Sequence, residues 1–425
     1  MAMRILWLCN KVLSERDSGT TGTWLDAMAQ ALTRSGEVEL GNIAQGKVVR
    51  CTRQDCGTLR QWIIPSHPLG RDGLPPKSVI AEISKAVDEF APDLVHIWGT
   101  ESYWGLLTAR GLIRIPALLE MQGLKGAIAR VFDGGLTWEE QLRCIGLKEI
   151  IKRSTVFGQR KQFARWGRFE QEIIRGHRWI TTQSDWIRAW VKSINRGCQL
   201  FHNDLALNSA FYSDFWRLPV TDQKIIFCSA AYPVPYKGLH VAIRAIAVLK
   251  KRLPNVKLHI AGAHQRQGLR QEGYVTWLNR QVKELGVQDE VVWLGALTAS
   301  QIVEQMRLAS AMVLPTFIEN CSTAMQEAMM FGIPLVVSYV GGLPSLARDQ
   351  ESALFFPAGD EVMCAYQLER LLTDRALAER IGKRAREIAL VRNNPERIVR
   401  NQIEIYRQVI ASAGNLHNNG VVNTL

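Results

Sequence analysis

Two glutamates, Glu319 and Glu327, enclose seven residues at a place where the sequence predicts that a strand ends and a helix begins. The strand ends at Pro315, and the helix begins near Ser322, where a serine or threonine side chain can cap it. The free N–H groups and positive dipole end of such a helix favour an anion such as a diphosphate. Glu327 lies roughly 6 to 8 Å along the helix axis, where a carboxylate could accept hydrogen bonds from ribose hydroxyls. The spacing predicts two acids around one phosphate site, although two solvated glutamates beside a helix would have the same spacing.

A lysine in a loop is the second candidate for phosphate chemistry. Lys237 follows the first predicted strand of the second half of the chain, and Gly238 lets the backbone turn into the next helix. At the carboxyl end of a parallel sheet, its ammonium could neutralise a diphosphate oxygen. A loop lysine taken alone is more commonly a plain surface residue.

These residues form an ordered set of motifs over about 130 residues of the second half. The set consists of Lys237-Gly238, Glu319 and Glu327, Gly332-Ile333-Pro334, Gly341-Gly342 and Pro357-Ala358-Gly359-Asp360. It resembles glycosyltransferase family 4, the retaining enzymes of the GT-B fold that transfer a sugar from a nucleoside diphosphate. The first half is consistent with the resemblance through weaker elements at 93–101, 201–204 and 211–212.

The resemblance implies a role for each matching residue. Glu327 would hold the donor ribose, Glu319 would bind hydroxyls of the transferred sugar, and Lys237 would stabilise the leaving diphosphate. The donor site would also include the backbone amides of Asn320, Cys321, Ser322 and Thr323. The loop with Gly19 and Gly22, after the first strand, would bring N–H groups to the diphosphate from the opposite domain.

Two positions depart from the pattern of the family. Members commonly have an arginine five residues before the lysine, where this sequence has Tyr232, so part of the positive charge around the diphosphate is missing or supplied elsewhere. Many members have a histidine where this sequence has Gln122, which can donate and accept hydrogen bonds but cannot take a proton. Gln122 and Glu101 are expected on the acceptor or sugar side of the site. The resemblance also implies that no metal ion and no cofactor besides the donor substrate is needed.

The elements that must position these residues alternate between strands and helices twice along the chain, which predicts an α/β protein with two parallel sheets. The expected fold is GT-B, with two Rossmann-like domains facing across a cleft and a C-terminal helix that crosses back to the first domain. We expect an acceptor-binding domain at 1–205, a linker at 206–223, a nucleotide-sugar domain at 224–394, and a terminal helix with a frayed tail at 395–425.

The formal net charge is +12, and residues 151–200 contain eleven basic and three acidic residues. The segment 157–190 interleaves basic with aromatic residues, a pattern that fits an anionic membrane surface, nucleic acid or a solvated helix face over a core stripe. The basic residues are Arg160, Lys161, Arg165, Arg168, Arg175 and Arg178, and the aromatic ones are Phe157, Phe163, Trp166, Phe169, Trp179, Trp186 and Trp190. We favour an anionic membrane surface as the partner over nucleic acid.

The composition is that of an ordinary folded protein, with 47% hydrophobic and 22% charged residues. The longest apolar stretches are too short to span a bilayer, the first strand does not read as a signal peptide, and the eight cysteines fit reduced thiols. We therefore expect a cytoplasmic protein, peripheral on the inner face of the cytoplasmic membrane.

The sequence predicts a glycosyltransferase that moves a sugar from a nucleoside-diphosphate sugar to a hydroxyl of a glycan or lipid-linked acceptor, in polysaccharide or glycoconjugate biosynthesis. One alternative is a nucleotide-sugar epimerase on the same fold, which needs no acceptor. A second is a non-catalytic binding module with a basic face for nucleic acid or membrane, in which Tyr232 and Gln122 mark lost catalysis.

Overall fold

The computed structural model describes residues 2–14, 23–152, 154–229, 233–262 and 273–418. Within these residues the chain forms two open sheets of mainly parallel strands, one in each half, with helices on their faces. The expected α/β architecture with two Rossmann-like sheets is confirmed.

The first sheet has eight strands in the order β3-β4-β2-β1-β5-β6-β7-β8, and only β3 runs antiparallel to its neighbour among the described strands. Its strands are β1 (Met3–Cys9), β2 (Val38–Gly46), β3 (Thr52–Arg53), β4 (Arg60–Pro65), β5 (Leu94–Trp98), β6 (Ala117–Glu120), β7 (Trp179–Thr182) and β8 (Gln199–His202). Its half of the chain contains the helices α1 (Thr23–Arg34), α2 (Lys77–Phe90), α3 (Trp104–Ala109), α4 (Lys125–Ile128), α5 (Trp138–Arg143), α6 (Leu147–Ile151), α7 (Val156–Arg175) and α8 (Asp185–Ile194).

Both faces of this sheet are buried, as the apolar sequence of β1 requires. Ile5 and Trp7 belong to a core with α1, whereas Leu6 and Leu8 belong to a core with α2 and α3 on the other face. The alternation follows from the two-residue period of a strand.

The second sheet has six parallel strands in the order β11-β10-β9-β12-β13-β14. These strands are β9 (Lys224–Ser229), β10 (Val256–Ala261), β11 (Val291–Gly295), β12 (Ala311–Leu314), β13 (Leu335–Ser338) and β14 (Leu354–Phe356). The helices are α9 (Leu239–Leu249), α10 (Gly273–Glu284), α11 (Ala299–Leu308), α12 (Thr323–Phe331), α13 (Glu361–Thr373), α14 (Arg375–Arg392) and α15 (Pro395–Asn418). The strand order changes direction between β9 and β12, which is where ligands bind in open α/β sheets.

The last helix, α15, returns to the first sheet and packs on α1 and β5. Its Tyr406 is fully buried, and the Tyr406 hydroxyl accepts a hydrogen bond from Trp7 Nε1 at 3.2 Å and lies 2.7 Å from His96 Nδ1. The predicted crossing of the C-terminal helix to the first half is confirmed.

The chain passes between the halves near residues 203–206 and again near 392–397, and the two passages are bonded to each other. Asn393 Nδ2 donates to Leu205 O at 2.9 Å, and the Arg397 guanidinium donates to Asp204 Oδ2 at 2.7 Å. Asn203 Nδ2 also donates to Gln402 Oε1 at 2.9 Å. The two chain passages between the halves are therefore held together by side-chain hydrogen bonds and an ion pair.

Some elements of the first half differ from the sequence prediction, which did not include the four-residue α4. Strand β2 was not predicted, because Gly41 and Asn42 interrupt its apolar alternation, and the two-residue β3 is too short for any pattern. The apolar spacing of residues 138–152 predicts a single helix, but these residues form the two short helices α5 and α6. No helix among the described residues combines the length and apolarity needed to cross a bilayer.

Candidate active site

The loops that follow β9 and β12 are joined by backbone hydrogen bonds at the carboxyl edge of the second sheet. Tyr236 O accepts hydrogen bonds from Phe317 N at 2.8 Å and from Thr316 Oγ1 at 3.1 Å. These bonds bring Lys237, which follows Tyr236, close to Glu319, which lies two residues after Phe317. Lys237 Nζ consequently forms an ion pair and hydrogen bond with Glu319 Oε1.

Gly238 is required for this approach of the two loops. Its φ of +70° lies in the left-handed region, and a Cβ at this position would lie 1.9 Å from Pro315 O. Both the backbone angle and the contact exclude other residues. The sequence motif Lys237-Gly238 thus has a steric basis.

The ion pair lies partly shielded from solvent, with side-chain exposures of 26% for Lys237 and 20% for Glu319. Burial alone would lower the pKa of Lys237, but the negative charge of Glu319, with smaller contributions from Tyr236 and the Glu319 hydrogen bond, raises that pKa above its usual value. Lys237 therefore remains a cation in the site.

The N-terminus of α12 begins four residues after Glu319. Ser322 caps it by accepting a hydrogen bond from Met325 N at 3.3 Å, which confirms the serine as the capping residue. The first N–H groups of a helix have no partner within it, so this end is suited to an anion. Lys237 and the start of α12 together supply positive charge beside Glu319.

Glu327 is the fifth residue of α12 and is only 9% exposed. Among the described residues no side chain or backbone group is hydrogen-bonded to its carboxylate. Burial raises its pKa to about 8. A buried carboxyl group without a protein partner has capacity for a polar ligand.

The turn that contains Glu319 and Asn320 rests on the two glycines that follow β13. Gly342 N donates to Glu319 O at 2.9 Å. A Cβ on Gly341, whose φ is +51°, would lie 1.9 Å from Glu319 O, and a Cβ on Gly342 would lie 1.9 Å from Asn320 O. The Gly341-Gly342 motif therefore supports the turn by close backbone packing.

Asn320 connects this turn to the first half of the molecule. Its Nδ2 donates to Gln122 O at 2.6 Å and to Gln183 Oε1 at 3.1 Å, and its Oδ1 accepts from Ser184 Oγ at 2.7 Å. The side chain of Asn320 is thus an interdomain contact, which the sequence did not predict. The expected contacts of the backbone amides of Asn320, Cys321, Ser322 and Thr323 with a ligand stay predictions.

A buried polar chain continues from Asn320 into the first sheet. Gln183 Nε2 donates to Glu120 Oε1, and Glu120 Oε2 lies 3.7 Å from His96 Nε2. Burial raises the pKa of Glu120 to about 8 and lowers that of His96 to about 3. These residues escaped prediction because their partners are far apart in sequence; the only local signal was a Gln-Ser pair at the end of a predicted strand.

Glu101 and Gln122 lie at the carboxyl ends of β5 and β6, opposite the turn at Asn320. Gly123 N donates to Glu101 Oε1 at 2.6 Å, and Lys125 Nζ donates to Glu101 O at 2.5 Å. Burial raises the pKa of Glu101. The structure brings both candidates of the first half to the edge that faces the second half.

Three residues predicted at the site, Gly19, Gly22 and Tyr232, lie outside the described residues. Their roles stay predictions.

The basic aromatic segment 157–190 is divided between surface and interior. All six of its predicted basic side chains are exposed, whereas Trp179 is buried and the other six aromatic residues are half-buried. Trp166, for example, donates from Nε1 to Thr100 O at 2.8 Å. The aromatic residues therefore mainly pack against the protein.

A model of the family "Glycosyl transferases group 1" matches residues 212–388. D-inositol 3-phosphate glycosyltransferase from Corynebacterium glutamicum (strain R) is 30% identical over 390 residues, which are 88% of this chain and 88% of that protein. The chain belongs to the glycosyl transferases group 1 family. The resemblance found in the sequence is thereby confirmed at the level of this family.

Other relatives of this group 1 glycosyltransferase match over a shorter region. D-inositol 3-phosphate glycosyltransferase from Salinispora arenicola (strain CNS-205) is 29% identical over 202 residues, which are 47% of this chain and 44% of that protein. The match therefore spans less than half of the length of such relatives.

Solved structures share the fold over almost the whole chain. Sucrose-phosphate synthase from Thermosynechococcus elongatus superposes with a TM-score of 0.72 at 16% identity, covering 96% of this chain and 100% of that one. Anabaena HepE, in complex with UDP and glucose, has a TM-score of 0.66 at 16% identity with the same coverages. The group 1 glycosyltransferase therefore has the GT-B fold predicted for it.

Proposed function

We propose that this protein is a retaining family 4 glycosyltransferase that moves a sugar from a nucleoside-diphosphate sugar to a hydroxyl of a glycan or lipid-linked acceptor in polysaccharide or glycoconjugate biosynthesis. The observation that supports this best is the ion pair between Lys237 and Glu319, beside the start of α12, together with the buried Glu327, which has no hydrogen-bond partner among the described residues. A cation, a helix N-terminus and two carboxyl groups are the groups that a sugar diphosphate needs. Because Anabaena HepE is described in complex with UDP and glucose, uridine diphosphate is the first nucleotide to test.

In the proposed reaction, the donor diphosphate occupies the start of α12 and draws Lys237 away from Glu319. Cleavage of the anomeric bond leaves negative charge on the diphosphate, which Lys237 and the helix dipole stabilise, and positive charge on the sugar, which Glu319 stabilises. Glu327 accepts hydrogen bonds from the ribose. The departing phosphate takes the proton of the acceptor hydroxyl, which then attacks the same face of the sugar.

This scheme is metal-independent, because Lys237 and α12 supply the positive charge that a divalent ion would otherwise bring. The acceptor approaches from the first half, where Gln122 and Glu101 lie. Gln122 orients a hydroxyl by hydrogen bonding and takes no proton. We place this enzyme at the inner face of the cytoplasmic membrane, with basic residues of 157–190 toward anionic lipid.

The test is a thermal-shift screen with UDP, GDP and ADP, followed by kinetics with the corresponding sugar donors. A nucleotide that binds the native state raises the melting temperature. Glu327→Gln should abolish most of that shift, whereas Glu319→Gln should keep it and lower kcat by about 100-fold or more.

Glu82→Gln, at an exposed position of α2, is the matched control and should leave both measurements unchanged. Wild-type donor binding and turnover in both site variants would contradict the proposal. An epimerase would convert its donor without an acceptor, so release of free nucleoside diphosphate only upon acceptor addition separates the two activities.

A further inference from the structure

An apolar patch covers the outer surface of α5 and α6. Trp138, Leu142, Ile150 and Ile151 are 63%, 47%, 61% and 73% exposed. Single exposed apolar residues are ordinary, but four on two short helices separated by only three residues are of the kind that contacts a partner or a membrane. None of these residues lies in the segment 157–190 that the sequence marks as basic and aromatic.

A cavity of about 550 Å³ lies between α4, α7 and α8, in the volume range of small-ligand sites. Its basic lining consists of Arg130, Arg160, Lys161 and Arg168. Its apolar lining includes Phe157 and Trp190, and the Arg130 guanidinium lies 4.9 Å from the centre of the Trp190 ring. The cavity therefore combines cations with apolar walls.

The positive charge of this cavity is largely uncompensated. In the described parts of the chain no carboxylate pairs with Arg130, Lys161 or Arg168, while Arg160 Nη1 lies 3.3 Å from Asp133 Oδ2. The acid in the lining, Glu170, accepts hydrogen bonds from Lys125 N and Gly126 N at 2.7 Å each. Its carboxylate is thus bonded to the start of α4, and no ion pair among the described residues joins it to the cations of the lining.

The apolar patch and the basic cavity share a wall. The rings of Trp138 and Phe157 are in contact, with centroids 4.7 Å apart, and Phe157 lines the cavity. An apolar surface that adjoins several unpaired cations matches the boundary between the acyl chains and the phosphates of an anionic bilayer.

We infer that α5, α6 and the cavity between α4, α7 and α8 form a docking surface for an anionic phospholipid bilayer. Ile150, Ile151 and Trp138 enter the interface, while Lys161 and Arg168 bind lipid phosphates. This inference deepens the proposed function, on which it rests for the lipid-linked acceptor, and it moves the inserting residues from the aromatic segment 157–190 to α5 and α6. A second copy of the chain fits the surface less well, because a two-fold contact would bring two basic rims together.

The test is flotation of the full-length protein with vesicles of phosphatidylcholine alone or with about 30% phosphatidylglycerol. The wild type should bind the anionic vesicles, and the binding should weaken as salt is raised. Ile150→Glu with Ile151→Glu, and separately Lys161→Glu with Arg168→Glu, should each lower the partition coefficient at least about tenfold.

The matched control carries Lys383→Glu and Val391→Glu on α14, a helix of the second half, where both side chains are exposed. It should bind vesicles as the wild type does, and equal melting temperatures of all variants exclude misfolding as the cause of any loss. Equal binding to both kinds of vesicle, or unchanged binding of both patch variants, would overturn the inference. Dimers that Ile150→Glu with Ile151→Glu dissociates, without vesicle binding by the wild type, would also overturn it in favour of a second copy.

The nucleotide-induced thermal shift is measured on the same samples. Vesicle binding without any nucleotide shift would leave the docking surface intact and contradict the proposed reaction. A nucleotide-induced shift without vesicle binding would support the proposed donor site and contradict the docking surface.

Discussion

Glu327 is a carboxyl group whose environment favours its neutral form, since burial raises its pKa to about 8. The folded state therefore holds a proton that the unfolded chain releases near the ordinary value of 4.5. Between these two values stability must fall as the pH rises, because the native state binds more protons than the unfolded state. Above a pH of about 8 the contribution of Glu327 to the free energy of unfolding no longer changes with pH.

We accordingly expect Glu327→Gln to gain stability relative to the wild type as the pH rises from 5 to 8. The difference should reach roughly a few kcal/mol, since each unit of pKa shift corresponds to about 1.4 kcal/mol. Urea denaturation at several pH values measures it. Comparing the two proteins removes the contributions of Glu120 and Glu170, which titrate in both. Glu82→Gln should show no such trend, and a pH-independent difference for Glu327→Gln would refute the assignment.

The sequence predicted which residues belong to the candidate site better than it predicted the contacts that these residues make. Glu319, Glu327 and Lys237 were predicted from their spacing and from a family resemblance. The ion pair between Lys237 and Glu319 was not predicted, because both were assigned to a bound donor rather than to each other. The interdomain bonds of Asn320 were also missed, since an asparagine at the start of a helix is usually read as a local capping residue.

Elements of the second half were predicted well because each strand is a short apolar run, and all of them except β13 are followed by an α-helix. All six strands from β9 to β14 lie where those runs predict them. The first half was harder to predict. Strand β2 carries Asn42 inside the sheet, where Asn42 Nδ2 donates to Gln61 Oε1 at 2.8 Å on the neighbouring strand. That pairing is long-range and has no local signature.

The turn that leads from the loop after β9 into α9 contains a glycine whose backbone angle and close contact can be tested separately. Gly238 and Gly286 both have left-handed backbone angles, with φ of +70° and +65°. A Cβ on Gly238 would lie 1.9 Å from Pro315 O, whereas a Cβ on Gly286 would meet nothing within 4 Å. The two glycines therefore separate the cost of the backbone angle from the cost of the contact.

Gly286→Ala should cost about 1 kcal/mol of unfolding free energy, the penalty of the backbone angle alone. Gly238→Ala should cost at least about 2 kcal/mol more and lower turnover, because the loop with Lys237 must move away from Glu319. Chemical denaturation and steady-state kinetics give both quantities. Equal losses in the two variants would show that the contact with Pro315 does not constrain the loop.

Asn320 is one of the side chains through which the two halves of the molecule meet, since it bonds to Gln122, Gln183 and Ser184. Asn195 is a matched residue within the first half, because its Nδ2 donates to Ile174 O and His177 O at 2.8 and 2.9 Å. Both amides are anchored to backbone carbonyl groups, but only Asn320 joins the halves.

Asn320→Ala should weaken the closed arrangement by about 2 kcal/mol, since it leaves buried polar groups without partners. We expect a larger radius of gyration in solution scattering and a raised KM for the donor. Asn195→Ala should lower thermal stability but leave the radius of gyration and KM unchanged. Identical scattering profiles for Asn320→Ala and the wild type would contradict this role.

The paired chain passages at 203–206 and 392–397 limit how the halves can move. Because Asn393 and Arg397 of one passage are bonded to Leu205 and Asp204 of the other, the two cannot slide independently. Any motion that preserves these bonds is a swing about a single axis through them, and translation or free twisting of one lobe past the other is excluded. Parts of the two halves that lie far from this axis then separate most for a given angle, so a small rotation is enough to open the cleft to a substrate.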